Sequence, residues 1–172
     1  FMDEKDMVLV RLSDGKVLGG DLKPSSELAM HLVVYRNRPD VLAMVHAHPP
    51  VATGFSVAGI SFDEVSLPEA VLGLGKIELT KYATPTTEQV PAVVLEKIEG
   101  SNALLLANHG ALTVGDSLMQ AYYRMETLEQ VARITLVARL LGNENLLSEA
   151  QKKELWAIRQ RMEEKKTSSY EG

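Results

Sequence analysis

The chain has 172 residues, 45% of them hydrophobic and 24% charged, which suits a soluble globular protein able to bury a sizeable core. Its net charge of −5 lacks the basic excess of a nucleic-acid footprint, no apolar run reaches the roughly 18 residues of a spanning helix, and no signal-peptide pattern opens it. A cytoplasmic protein with neither nucleic acid nor membrane as partner is expected, and the absence of cysteine excludes disulfides and thiolate metal ligands, leaving His, Asp and Glu for any transition-metal site.

In chain order, Met7–Leu12 reads as a strand, turned at Asp14-Gly15 toward a hairpin partner at Val17–Gly19. "KPSSELAMHLVVYRNRPD" reads as a helix: Ser25 or Ser26 caps it, Glu27 lies in its first turn, and Pro39 ends it. The spacing of Leu28, Leu32 and Tyr35 predicts its buried face. Val41–His46 is a short apolar run, expected to be a buried strand. "PPVATGFSVAG" begins with proline, which suits a first helical turn.

A short helix at Pro68–Leu74 and a strand at Ile77–Tyr82 follow. The next helix, Thr86–Ile98, has Thr86 or Thr87 as its cap and Gly100 beyond its end. Leu104–Ala107 and Ala111–Val114 read as strands around a break at "NHG". Asp116–Leu141 is a long amphipathic helix stopped by Gly142 and Asn143, and Ser148–Lys166 is a last one capped by Ser148. No repeat or linker interrupts the pattern, so residues 1–172 are expected to form one domain. Strands and helices mix without strict alternation, which predicts an α/β sandwich of helices on a mixed or antiparallel sheet.

Two of the four histidines stand one residue apart in "MVHAHPP". On a strand, residues i and i+2 face the same way, so His46 and His48 could approach one ion at the roughly 2.0–2.1 Å of a Zn–N bond. His109 follows a buried strand and precedes Gly110, which lets the backbone come close. Three histidines with one open position is the catalytic rather than the closed structural pattern for zinc. Glu27 has two readings: an acid favoured at a helix start by the macrodipole, or a catalytic group. His31, at i+4 from Glu27, reads as structural on the same helix. Thr84 and Thr87 in "ATPTTE" resemble a phosphate loop but also suit a helix start, and Asn108 suits a turn before glycine. Tyr122, Tyr123 and Met125 read as core or subunit contacts, and Trp156 as a packing anchor.

Taken in order, "PSSE", "HAHPP", "KYATPTTEQV" and "LLLANHGALTVGDSLMQAYYRMETLE" resemble the class II aldolase/adducin family, of the fuculose-1-phosphate aldolase kind. The resemblance runs from about Met7 to near Leu141. It implies an α/β/α three-layer sandwich with a largely antiparallel central sheet. It further implies a divalent metal, usually Zn2+ with Mn2+ or Co2+ as substitutes, held by His46, His48 and His109. Glu27 would be the catalytic acid/base and a ligand of the resting metal, and Ser25 and Ser26 would bind the substrate phosphate. The implied reaction is cleavage of a ketose 1-phosphate to dihydroxyacetone phosphate and an aldehyde through a metal-stabilised enediolate, in a homotetramer with sites between subunits.

Related family members are decarboxylases, 4-epimerases and a dehydratase acting on sugar or sugar-acid phosphates; the epimerases tend to carry Asp where Glu27 stands. An adducin-like binding module lacks the metal histidines, and a purely structural metal site is a further reading. The family's upstream glycine–asparagine loop and its Thr-Pro-(Ser/Thr)-Gly loop have no match, so an N-terminal phosphate-loop segment is expected to be missing. The family's tyrosine downstream of HxH has no counterpart in "FDEVSLPEAVLG", and for its C-terminal catalytic tyrosine the nearest residue is Tyr170.

Overall fold

A computed structural model describes residues 2–62 and 66–168, with side chains to residue 165. After a single 3-10 turn at Glu4–Asp6, strands β1 (Leu9–Val10) and β2 (Val17–Gly19) form a small antiparallel hairpin. β1 is shorter than the expected Met7–Leu12. Its register shifts between Leu9 and Val10, and the turn closes through the Gly15 N–H bond to the Arg11 carbonyl.

Helix α1 (Leu28–Asn37) starts later than expected, with Glu27 itself at the N-cap position. Ser25 takes part differently: its Oγ accepts the Glu27 N–H at 3.2 Å, a local serine turn just ahead of the helix. The buried side of α1 is Met30, Leu32 and Val34, while Leu28 and Tyr35 are only half-buried. The difference arises because α1 packs against both the sheet and helix α3 (Gln89–Ile98), so its buried arc is not one simple stripe.

The central sheet has four strands in the order β3 (Ala43–Ala47), β6 (Gly110–Gly115), β5 (Ala103–Leu106), β4 (Ile77–Leu79). The β3–β6 and β6–β5 pairs are antiparallel and β5–β4 is parallel, so the sheet is largely antiparallel as expected. β4 is shorter than the expected Ile77–Tyr82, although the Thr80 N–H still reaches the Leu105 carbonyl at 2.9 Å. β5 and β6 are joined through Ala107, Asn108 and His109, with Asn108 in the left-handed region at φ 58°. That conformation favours Asn over most side chains, which fits its expected role as a turn residue.

Strand alternation sends side chains to two separate cores. Ala103, Leu105 and Ala111 face helices α2 (Pro50–Val57) and α4 (Leu118–Leu140), packing with Ala52, Phe55, Leu128 and Ala132. Leu104, Leu106, Leu112 and Val114 face α1 and α3, packing with Met30, Val34, Val90 and Val94. The result is the three-layer α/β/α arrangement. Each fully buried Leu or Val side chain contributes about 1.5–3 kcal/mol relative to exposure.

Ser117 caps α4 by accepting the Gln120 N–H at 3.3 Å. α3 begins three residues after the expected Thr86, because Thr87 Oγ1 and the Gln89 side chain bond back into the Thr84 loop before the helix starts. The helical stretch at residues 68–74 closes as a π-helical turn, Ala70–Leu74. Helix α5 (Glu149–Ser168) rests on that turn through Arg159, whose guanidinium donates to the Val71 and Leu72 carbonyls at 3.0 and 2.9 Å. Trp156, expected as a packing anchor, is 39% exposed; the anchor of α5 is instead the buried Arg159. Among the described residues, no helix is long and apolar enough to cross a membrane.

Candidate metal centre

The antiparallel register builds the site. His46 pairs with Leu112 and Ala47 with Ala111, so the C-terminal end of β3 lies beside the start of β6, immediately after His109. Within β3, Val45 and Ala47 pack toward the α2–α4 side, while Met44 packs toward the α1–α3 side. Alternation therefore turns His46 toward the side that carries α1. The rings of His46, His48 and His109 stand with all three centroid distances at 5.0 Å and mutual tilts of 62–71°. One nitrogen from each lies within 4.8 Å of the others.

His46 is held most firmly. Its Nδ1 lies 2.8 Å from the Ala111 carbonyl, which can only accept, so Nδ1 carries the proton and Nε2 presents its lone pair to the centre. Burial pushes its pKa down and the nearby Glu27 carboxylate pulls it back up, so the neutral ligand form is favoured on balance. His48 is exposed, and its Nε2 lies 3.1 Å from the His46 Nε2.

Glu27 makes no capping bond to its own helix. Its side chain, 17% exposed, turns inward instead, with Oε2 at 2.7 Å from His46 Nε2 and Oε1 at 3.3 Å from His109 Nε2. Oε2 is buried without a hydrogen bond. A carboxylate oxygen with no hydrogen bond thus stands against an imidazole nitrogen, and a divalent cation among these groups would satisfy both donors. Nitrogen and oxygen donors of this kind suit a divalent transition metal. The geometry therefore fits the ion that the histidine pattern implies.

Gly110 makes the packing possible. A β-carbon there would stand 2.5 Å from His48 Cδ2, 2.7 Å from the Ala47 carbonyl oxygen and 3.3 Å from His46 Cε1. Close backbone approach beside His109 was legible in the sequence; that it serves the other two histidines was not. His31 is half-buried on α1, in keeping with its structural reading, and burial lowers its pKa against the opposing pull of Glu27.

Ser25 and Ser26 lie on the exposed turn ahead of α1, with Ser25 Oγ engaged by the Glu27 N–H. The Thr84–Thr87 loop is tied to itself, Thr87 Oγ1 donating to the Thr84 carbonyl at 2.7 Å. Met125 is core, but Tyr122 and Tyr123 are exposed. Tyr170, and residues 63–65 of the segment lacking the family's tyrosine, lie outside the described residues.

The family model for the class II aldolase and adducin N-terminal domain matches residues 1–136. The chain belongs to the class II aldolase/adducin family, an enzyme superfamily whose class II aldolases use a divalent metal. In particular it is similar to L-fuculose phosphate aldolase of Methanococcus vannielii, 39% identical over 134 residues that span 78% of this chain and 71% of that one. It is also 36% identical, over 73% of its length and 60% of the relative's, to 3-oxo-tetronate 4-phosphate decarboxylase of Escherichia coli (strain K12). A solved L-fuculose 1-phosphate aldolase superposes with a TM-score of 0.83 at 29% identity, over 91% of this chain and 73% of that one.

Proposed function

We propose that this chain is a metal-dependent lyase that cleaves a ketose 1-phosphate to dihydroxyacetone phosphate and an aldehyde. The observation that carries the reading is the convergence of a buried, unbonded carboxylate oxygen of Glu27 with the ring nitrogens of His46, His48 and His109. In this reading the three histidines hold the ion, with Glu27 as a further ligand when no substrate is bound. The ion, Zn2+ or a similar divalent metal such as Mn2+ or Co2+, supplies Lewis-acid stabilisation of negative charge that develops on a substrate oxygen.

The chain's own groups do the rest. Glu27 exchanges its place among the histidines for the substrate's reacting carbon and moves the proton there, which requires an approach of about 3 Å. The Ala111 carbonyl keeps His46 in the tautomer that presents Nε2. Ser25 and Ser26, at the open start of α1, offer hydroxyls to the substrate phosphate, and the helix N-terminus favours an anion. A homotetramer with sites between subunits completes the reading. Exposed apolar side chains along α4, among them Met119, Tyr123, Val137 and Leu140, support such an assembly. Residues 1–172 are taken as a single domain of this family.

The experiment is an assay of the purified protein, loaded with Zn2+, Mn2+ or Co2+, against a panel of ketose 1-phosphates with dihydroxyacetone phosphate as the readout. Glu27→Gln should keep the metal and abolish turnover; retained cleavage in that variant would sink the assignment. A decarboxylase acting on a 3-oxo sugar-acid phosphate is the second reading, favoured by the decarboxylase relative. Release of carbon dioxide with no cleavage of any ketose 1-phosphate would select it. Tightly held metal with no activity on either panel would favour a structural ion.

A further inference from the structure

We propose that Glu129 is a positioning residue for His48: from α4 it holds the first turn of α2 and so fixes where the imidazole just upstream of that helix stands. The inference rests on the metal-binding reading of the three histidines and goes beyond it.

The sequence "HPPVA" creates an unusual helix start. Pro49 occupies the N-cap and Pro50 the first helical position, so neither offers an N–H and neither side chain can cap. The Thr53 N–H bonds the Pro49 carbonyl at 2.8 Å. The orphan donors are therefore those of Val51 and Ala52, and the carboxylate of Glu129 takes both. The Val51 N–H donates to Oε1 and Oε2 at 3.3 and 3.1 Å, and the Ala52 N–H to Oε2 at 2.9 Å. Arg133, one turn further along α4, donates from Nε to Oε1 at 2.9 Å and holds the carboxylate in place. A negative group at a helix N-terminus also meets the favourable end of the helix dipole. The cap that the local sequence cannot supply comes from 77 residues away.

The link to the site is short and stiff. Proline fixes φ near −65°, so Pro49 and Pro50 form a rigid connection between His48 and the held turn. His48 depends on that connection more than its neighbour does. His46 has its own anchor in the Ala111 carbonyl, whereas the polar contact of the exposed His48 is with His46 Nε2, inside the cluster itself. Groups that orient metal ligands typically change metal affinity by about 10–100-fold when removed.

The test is Co2+ titration of the metal-stripped full chain, followed by visible absorption, for wild type, Glu129→Ala, Glu129→Gln and Val131→Ala. Val131 lies in the core on the same helix and serves as a control for lost stability. The expected result is a loss of Co2+ affinity of about tenfold or more in Glu129→Ala with an altered ligand-field spectrum. Glu129→Gln keeps one acceptor oxygen and should show a smaller loss, and it carries the test alone if the alanine variant does not fold. Val131→Ala should lower the melting temperature and leave affinity and spectrum unchanged. Wild-type affinity and spectrum in both Glu129 variants, or an equal loss in Val131→Ala, would overturn the proposal. Wild-type protein that takes up no Co2+ would instead remove the metal-binding reading beneath it.

Discussion

Gly110 and His48 stand so close that the smallest side chain would not fit between them: a β-carbon on Gly110 would lie 2.5 Å from His48 Cδ2. Its effect is steric, since Gly110 is not among the glycines with positive φ. Gly110→Ala should therefore displace His48, and the nearby Ala47 carbonyl leaves little room on the other side. Overpacking of this kind costs about 1–3 kcal/mol. Thermal unfolding should register the destabilisation, and Zn2+ titration should show affinity reduced by about tenfold or more. Wild-type Zn2+ affinity in this variant would mean that His48 is not a ligand.

The close approach of Glu27 Oε2, buried without a hydrogen bond, to His46 Nε2 at 2.7 Å predicts that a divalent ion stabilises the fold. Binding to the folded chain alone at about 100 times Kd adds about 2.7 kcal/mol. For a chain of this size that is a rise in melting temperature of about 5–10 °C, because each kcal/mol shifts it by roughly 2–4 °C. Scanning fluorimetry with EDTA and then with added Zn2+ measures the shift directly. An unchanged melting temperature across Zn2+ concentrations would count against a bound ion.

His31 gives the fold a pH dependence. Burial holds its pKa below the ordinary histidine value of 6.5, with the Glu27 carboxylate opposing that shift. The unfolded chain then binds more protons than the folded one as pH falls below about 6.5, so stability contributed by neutral His31 is full above that pH and is lost as pH drops through the lower folded value. In metal-free protein, His31→Gln should flatten this acid limb of the stability profile, read by urea unfolding between pH 7.5 and 5. An equally steep limb in the variant would assign the loss to other groups, His46 first among them.

Arg159→Ala should loosen α5 without touching the metal centre. The buried guanidinium serves the carbonyls of Val71 and Leu72 and pairs with Glu163 at 2.8 Å. Hydrogen bonds to charged groups contribute about 1.5–3 kcal/mol each, so a loss of about 3 kcal/mol is expected, with faster proteolysis in residues 141–168. Metal affinity should stay at the wild-type value. A protease pattern unchanged from wild type would show that α5 is held by other contacts.

Local rules carried much of the structure. The two-residue period of a strand put His46 and His48 on one face, and the chain's own turn and helix signals located every main element to within a few residues. Where the starts of α1 and α3 moved, side chains had bonded to nearby loop backbone, Ser25 accepting the Glu27 N–H ahead of it and Thr87 donating back to the Thr84 carbonyl. Such bonds compete with helix initiation and do not show in propensity or periodicity.

By itself, the sequence determined which residues have the chemistry for a metal site: three histidines, one acid at a helix start, and no thiol to compete. Only the tertiary structure decided that these groups meet. The pairing of Ala47 with Ala111 brings His109 to the end of β3, and the layer of α1 over that face delivers Glu27 to the same point. Glu129 was illegible for a related reason, because a carboxylate that caps a helix from 77 residues away leaves no pattern in the local sequence. Register and layer packing are set by the burial of two whole cores, Leu105 and Ala111 on one side and Leu104 and Leu112 on the other. No short stretch of sequence contains that information.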